Sequence, residues 1–137
     1  MEKTLRLYQE KYPHLFQKLI VGRKTLKNRI VAAPTHHGIT TDHQDLLNER
    51  GVLVYGDRAR GGAAVVTIGE GKIDALNSTA HEGHVDCYSE KALQSLHWYS
   101  TYVHAYGALA SIEFNHSGQF ASPRFNEGHL GPMGASE

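Results

Sequence analysis

The sequence predicts an α/β fold built on parallel strands. Short, nearly continuous apolar runs alternate with stretches of helical period. The apolar runs begin about 35 to 45 residues apart, which leaves room for a crossover helix between them. Each run also ends in a polar, glycine-containing segment. The order strand, helix, strand, helix, strand implies parallel strands joined by right-handed crossovers.

The first strand is "RIVAA" (29–33), whose apolar residues run into "PTHHG". The second is "AAVVTI" (63–68) and the third "LASIEF" (109–114). The first two are almost wholly apolar, as strands covered on both faces are. Between them, "DLLNERGVLVYGDRARGG" places Leu47, Gly51, Val54 and Arg58 at helical steps, and Gly61–Gly62 supplies a stop. In "SEKALQSLHWYSTYVHAYG", Leu93, Leu96, Ser100 and Val103 share a face, with Ser89 as N-cap and Gly107 closing the helix. The segment "RFNEGHLGPMGASE" reads as loop, so the chain is expected to stop part-way through a fold.

The polar segments following the strands are "PTHHG", "GEGKID" and "NHSGQF". In parallel α/β folds ligands bind at the carboxyl ends of the strands, so all three segments are expected on the ligand-binding side. No GxGxxG or Walker pattern follows any strand, which removes the fingerprints of the two common phosphate-binding α/β folds.

Composition narrows the function classes. The 137 residues balance 14 Lys and Arg against 14 Asp and Glu, with 40% hydrophobic and 20% charged residues. That suits a globular chain and leaves no electrostatic footprint for nucleic acid or an anionic membrane surface. No apolar run approaches the roughly 20 residues that span a bilayer. The start, "MEKTLRLYQEKYPHLF", is too charged for a signal-peptide core. A single cysteine, Cys87, excludes an intrachain disulfide and fits a reducing compartment. A cytoplasmic location is therefore expected.

Several polar residues invite a chemical reading beside a plainer one. "HEGHVDC" spaces His81, His84 and Cys87 at steps of three, a pattern that could present metal ligands on one helical face. Gly83 interrupts that face and a structural zinc site wants four ligands, so a polar loop without metal is expected. His36 and His37 are adjacent on an extended segment, so only one can face a ligand, and neither has a carboxylate partner nearby in sequence. Glu113 is either a strand-end residue reaching water or an acceptor for a ligand N–H group. Cys87 lacks a basic neighbour and does not read as a nucleophile. Trp98 reads as a packing or helix-surface residue.

Taken together, "LFQKLIVGRKTLKNRIVAAPTHHG", "YGDRARGGAAVVTIGEG" and "VHAYGALASIEFNHSGQF" resemble the old yellow enzyme family, nearly end to end and in order. The nearest likeness is the longer bacterial branch, with 2,4-dienoyl-CoA reductase and bile-acid-type enoate reductases. The resemblance implies a (β/α)8 TIM barrel holding FMN at the carboxyl ends of its strands. A complete barrel needs roughly 250 residues, so residues 1–137 would be its N-terminal portion, with about three strands and two helices.

Carried over by the resemblance, Ala33, Pro34, Thr35 and His36 form the turn along the flavin ring, with His36 near its O4 and N5 edge. Gly69 and Glu70 take the small-residue position after the second strand, where a glutamate is a departure and its backbone is the expected contact. Glu113 replaces the usual glutamine at the pyrimidine edge, and an ionised glutamate only accepts hydrogen bonds. Gln119 replaces a common arginine. His116 matches the motif histidine and is expected to bond neighbouring loops.

The implied activity is reduction of activated C=C bonds in enoyl- or dienoyl-CoA, enoate or enone compounds, with NAD(P)H as the electron source. The substrate-anchoring and proton-donating residues of the family come from later strands, so no catalytic residue is assignable here and the chain alone is expected to be inactive. In the longer branch FAD and a 4Fe–4S cluster also occur, and their binding residues are absent from this sequence. The alternatives are a non-catalytic flavin-binding or assembly subunit, associating as a homo-oligomer through exposed sheet edges, and a truncated product without independent function.

Overall fold

The structure is a computed structural model that describes residues 2–134. Helix α1 (Glu2–Lys11) precedes a short antiparallel hairpin of β1 (Leu19–Val21) and β2 (Lys24–Leu26). The parallel part follows as β3 (Val31–Thr35), α2 (Glu49–Arg60), β4 (Val65–Lys72), β5 (Val85–Asp86), α3 (Leu93–Ala105) and β6 (Leu109–Asn115). Three 3₁₀ turns carry the chain from β6 to His129. Among the described residues no helix is long and apolar enough to cross a membrane.

β4 is central, with β3 parallel on one side and β6 parallel on the other. The two residues of β5 pair with Gly71 and Lys72, continuing the edge that β3 leaves. Helices α2 and α3 share one core against the same sheet face, in which Tyr55, Val66, Ile68, Val85, Tyr99 and Val103 are almost fully buried. The strands thus follow sequence order with both crossover helices on one face, which is the arrangement of a βα-barrel arc rather than of a doubly wound sheet. Residues on the other face stay open, Val31 at 54% exposure among them.

The three strands stand where the apolar runs predict them, but two bounds move. β3 includes Pro34 and Thr35, because the register steps from Ala32↔Val66 to Thr35↔Ile68 and leaves an extra residue in β3. A proline without an N–H is tolerated at such a bulge. β4 runs on to Lys72 through the polar "GEGK", past a second irregularity between Ile68 and Gly71. The buried helix faces are Gly51, Val52, Tyr55, Gly56 and Ala59 in α2, and Ser95, Tyr99 and Val103 in α3. Only Gly51 and Val103 of the predicted stripes belong to them, and Leu93 is 66% exposed. Ser89 caps the 3₁₀ turn that leads into α3, without a side-chain bond to that turn.

The "LKNR" stretch holds the end of the sheet opposite the polar strand ends. Lys27 Nζ donates to Tyr106 O at 2.7 Å and reaches Ala59 O at 3.5 Å, so one cation serves the C-terminal carbonyls of both helices. Asn28 Nδ2 donates to Gly62 O at 2.7 Å while its Oδ1 accepts from Ile30 N at 2.9 Å. Asn28→Ala strands two backbone groups and is expected to cost about 1–3 kcal/mol. A urea midpoint equal to wild type would refute this reading.

Candidate functional site

The carboxyl end of β3 is fixed from the helix side. Tyr55, buried in α2, donates its hydroxyl proton to Thr35 O at 2.8 Å. Arg58 Nη1 donates to Thr35 Oγ1 at 2.7 Å, and that hydroxyl donates onward to Ala33 O at 3.0 Å. The guanidinium lies 5.3 Å from the Tyr55 ring centroid and its Nη2 stands 2.6 Å from His37 Nε2. A guanidinium can only donate, so His37 Nε2 is the acceptor in this contact. His37 is therefore tied to the scaffold, while Ala33, Pro34 and Thr35 lie exposed along the strand end.

The end of β4 is shaped by its bulge. Pairing passes from Ile68↔Ile112 to Gly71↔Phe114, so β4 carries one more residue than β6 there. Glu70 takes a φ of 59°, in the left-handed region that side chains disfavour. Beside it, a Cβ on Gly69 would meet Thr35 N at 2.8 Å and Thr35 C at 2.9 Å, so β3 and β4 approach as closely as they do only over a glycine.

The bulge aims the Glu70 carboxylate at three imidazoles. Its Oε2 lies 3.1 Å from His36 Nδ1, 3.5 Å from His81 Nε2 and 3.9 Å from His84 Nε2. The rings of His36 and His81 are 4.9 Å apart and those of His81 and His84 4.6 Å. His84 is fully buried, and burial pushes its pKa down to about 4, with the Glu70 charge opposing. Burial also lowers His36, again against Glu70. His36 thus has a carboxylate partner, but one that lies far from it in sequence.

Glu113, on β6, is exposed at the neighbouring strand end. Behind it His116 accepts from Gly118 N at Nδ1 (3.0 Å), and its Nε2 lies 3.1 Å from both Asn77 Oδ1 and Asp74 Oδ2. The ring bridges two loops, as expected. Cys87 is a poor nucleophile, because burial and the Asp86 charge raise its thiol to about 11.

Residues 14–136 match the NADH:flavin oxidoreductase / NADH oxidase family. The chain belongs to this family. It is 33% identical over 118 residues to a 4,4'-dithiodibutanoate disulfide reductase from Rhodococcus erythropolis, covering 84% of this chain and 28% of that protein. The old yellow enzyme from Trypanosoma cruzi superimposes with a TM-score of 0.75 at 26% identity, over 84% of this chain and 30% of its own. Morphinone reductase gives 0.78 at 21% identity, over 88% and 32%, a likeness of fold. The chain therefore spans less than a third of the length of these relatives. Its fold is an incomplete (β/α)8 barrel, and the proteins it resembles are oxidoreductases.

In this flavin-oxidoreductase arc, Ala33–His36, Gly69 and Glu70 come together at the adjoining ends of β3 and β4, with Glu113 one strand further along. Small residues line this seam as an open bed, and a Cβ at position 69 would collide with the Thr35 backbone. A cleft of about 960 Å³ between the 41–45, 79–83 and 124–129 segments is a separate feature, lined by His81 and Lys72 but by none of the seven bed residues. Lys72 is held there by Asp45 at 2.6 Å. The His81–His84 segment is the part that sequence reading set aside. Its partners at positions 36 and 70 become visible only once the strands are paired.

Proposed function

We propose that this chain is the N-terminal portion of an FMN-dependent ene-reductase that reduces activated C=C bonds of enoyl- or dienoyl-CoA, enoate or enone compounds with NAD(P)H. The observation that carries the reading is the convergence of Ala33–His36 and Gly69–Glu70 on the seam between β3 and β4 in a chain of this family. When bound, FMN would supply the hydride chemistry that links NAD(P)H oxidation to reduction of the activated alkene.

Within the chain, Tyr55 and Arg58 hold Thr35 so that the β3 end presents a fixed edge. The backbone of Gly69 and Glu70 would lie beside the ring, since the Glu70 side chain turns to the histidines. Glu113, as a carboxylate, would accept from a ring N–H at the pyrimidine edge. The remaining catalytic groups, and the FAD and 4Fe–4S sites of the longer branch, would belong to residues outside this sequence. The chain alone would be inactive. Its single cysteine supports a cytoplasmic setting, and β3 and β6, each paired only with β4 among the described residues, offer edges for self-association.

A second acceptor follows from the disulfide reductase relative: an organic disulfide would take the same hydride equivalent. A non-catalytic flavin-binding subunit is the reading if the chain binds FMN and acts without further residues. Titration of the chain with FMN, read by quenching of flavin fluorescence and by thermal melting, tests the bed. Saturable quenching with a raised melting point is expected, without NADH oxidation. Absence of saturable quenching would reject the flavin bed in this chain.

A further inference from the structure

We propose that His36, Glu70, His81 and His84 form a mononuclear site for a divalent ion of the zinc class, clasping the 81–84 segment onto the ends of β3 and β4. One ligand atom from each of His36, Glu70 and His81 lies within 4.8 Å of the others. His84 lies outside that group, but its Nε2 is 3.9 Å from the same Glu70 oxygen, so a shift of its ring would bring it in as a fourth ligand. Four ligands about 2.0–2.2 Å from a tetrahedral ion stand about 3.3–3.5 Å apart, so the 3.1 and 3.5 Å from Glu70 to His36 and His81 are close to that spacing and the 3.9 Å to His84 has to shorten.

The second observation is independent of spacing. His84 is fully buried, and both of its ring nitrogens lack a hydrogen-bond partner. Glu70 Oε2 is buried and accepts no hydrogen bond, although imidazole nitrogens stand 3.1, 3.5 and 3.9 Å from it. More than nine in ten buried polar groups are satisfied in folded proteins, so the unpaired His84 Nε2 and Glu70 Oε2, 3.9 Å apart, call for a common partner. An ion that takes a lone pair from His84 Nε2 and from Glu70 Oε2 satisfies these two atoms together, while His84 Nδ1 carries the ring proton.

The local backbone is built for this convergence. Gly83 has a φ of 92°, and a Cβ there would meet His36 Cε1 at 2.5 Å, so the segment crosses the ring only as glycine. Imidazole-rich sites suit zinc, copper, nickel or iron, whereas calcium and magnesium take oxygen ligands. Once His84 is drawn in, four protein ligands close the site, so its role is to fix the loop rather than to activate water. The half-exposed His81, on the rim of the cleft, provides the entry side.

The test uses the full chain stripped with a chelator and titrated with Co²⁺, then with Zn²⁺ as competitor. One equivalent of Co²⁺ should produce the intense visible absorption of a four-coordinate ion, and Zn²⁺ should abolish it. H81Q and E70Q should each weaken binding by more than about tenfold, the scale that even outer-shell partners reach. H97Q, at an exposed histidine on α3, should bind as wild type. H84Q serves only if circular dichroism shows it folded; H81Q, at a half-exposed residue, decides the matter otherwise. No visible band, wild-type affinity in both H81Q and E70Q, or equal loss in H97Q would each overturn the site. The readout needs neither flavin nor turnover, so it stands or falls apart from the FMN reading.

Discussion

Replacing Tyr99 with alanine is expected to remove about 3–5 kcal/mol, a large part of the stability of a small domain. The side chain is 2% exposed and packs edge-on against Tyr55 with centroids 5.9 Å apart. Its hydroxyl lies 2.6 Å from Val66 O and 3.0 Å from Ser111 O, and can accept from Ser111 N at 3.3 Å. One phenol thus joins α3 to both β4 and β6. Tyr99→Phe keeps the ring and is expected to cost about 0.5–1.5 kcal/mol, the net worth of one hydrogen bond. Burial raises the Tyr99 hydroxyl to about 12. A raised folded-state value means that this stability is complete below the unfolded value near pH 10 and is lost as pH rises toward about 12. Denaturant midpoints measured from neutral pH upward should fall over that window, and fall less in Tyr99→Phe. Parallel curves for the two proteins would contradict the assignment.

Gly69→Ala is the second large effect. The added methyl group would press on backbone atoms of Thr35 and on His36 N at 3.2 Å, which cannot rotate away as a side-chain tip would. Overpacking of this kind costs typically about 1–3 kcal/mol. The strain should also spread the β3–β4 seam, so the variant is expected to lose FMN binding beyond what its lower melting point explains. Flavin titration well below the melting temperature separates the two effects. Wild-type stability and wild-type FMN affinity together would show that the close approach is not required.

The parts of the fold that were legible in sequence are those where burial is continuous along the chain. Val65–Ile68 and Leu109–Ile112 are read from their apolar character, and both pair as parallel strands. The helix faces were harder, because the core is filled by Tyr55 and Tyr99, whose polar tips find backbone partners. Leucine, the residue that pattern reading trusts, lies outside at Leu53 and Leu93. The hairpin of Leu19–Leu26 is too short to show a period, and half of the residues of α1 are charged. Both bulges escaped notice because a bulge is a property of pairing between strands: Pro34 and Glu70 look like loop residues until their neighbours are known. The same holds for the site. His36 is legible as a strand-end polar residue, whereas its partners Glu70, His81 and His84 come from segments joined only by the sheet.

The left-handed backbone of Glu70 sets folding and chemistry against each other at a single position. Glycine or asparagine would fit its φ of 59° more easily than glutamate does, while a β-branched residue would fit worse. In a variant library sorted for resistance to heat, Glu70→Gly should therefore be enriched, and Glu70→Val depleted. The same library sorted for ion retention should reject both, because each removes the carboxylate that faces the three histidines. A position whose best-folding substitution is also among its worst-functioning ones bears the mark of selection for something other than stability.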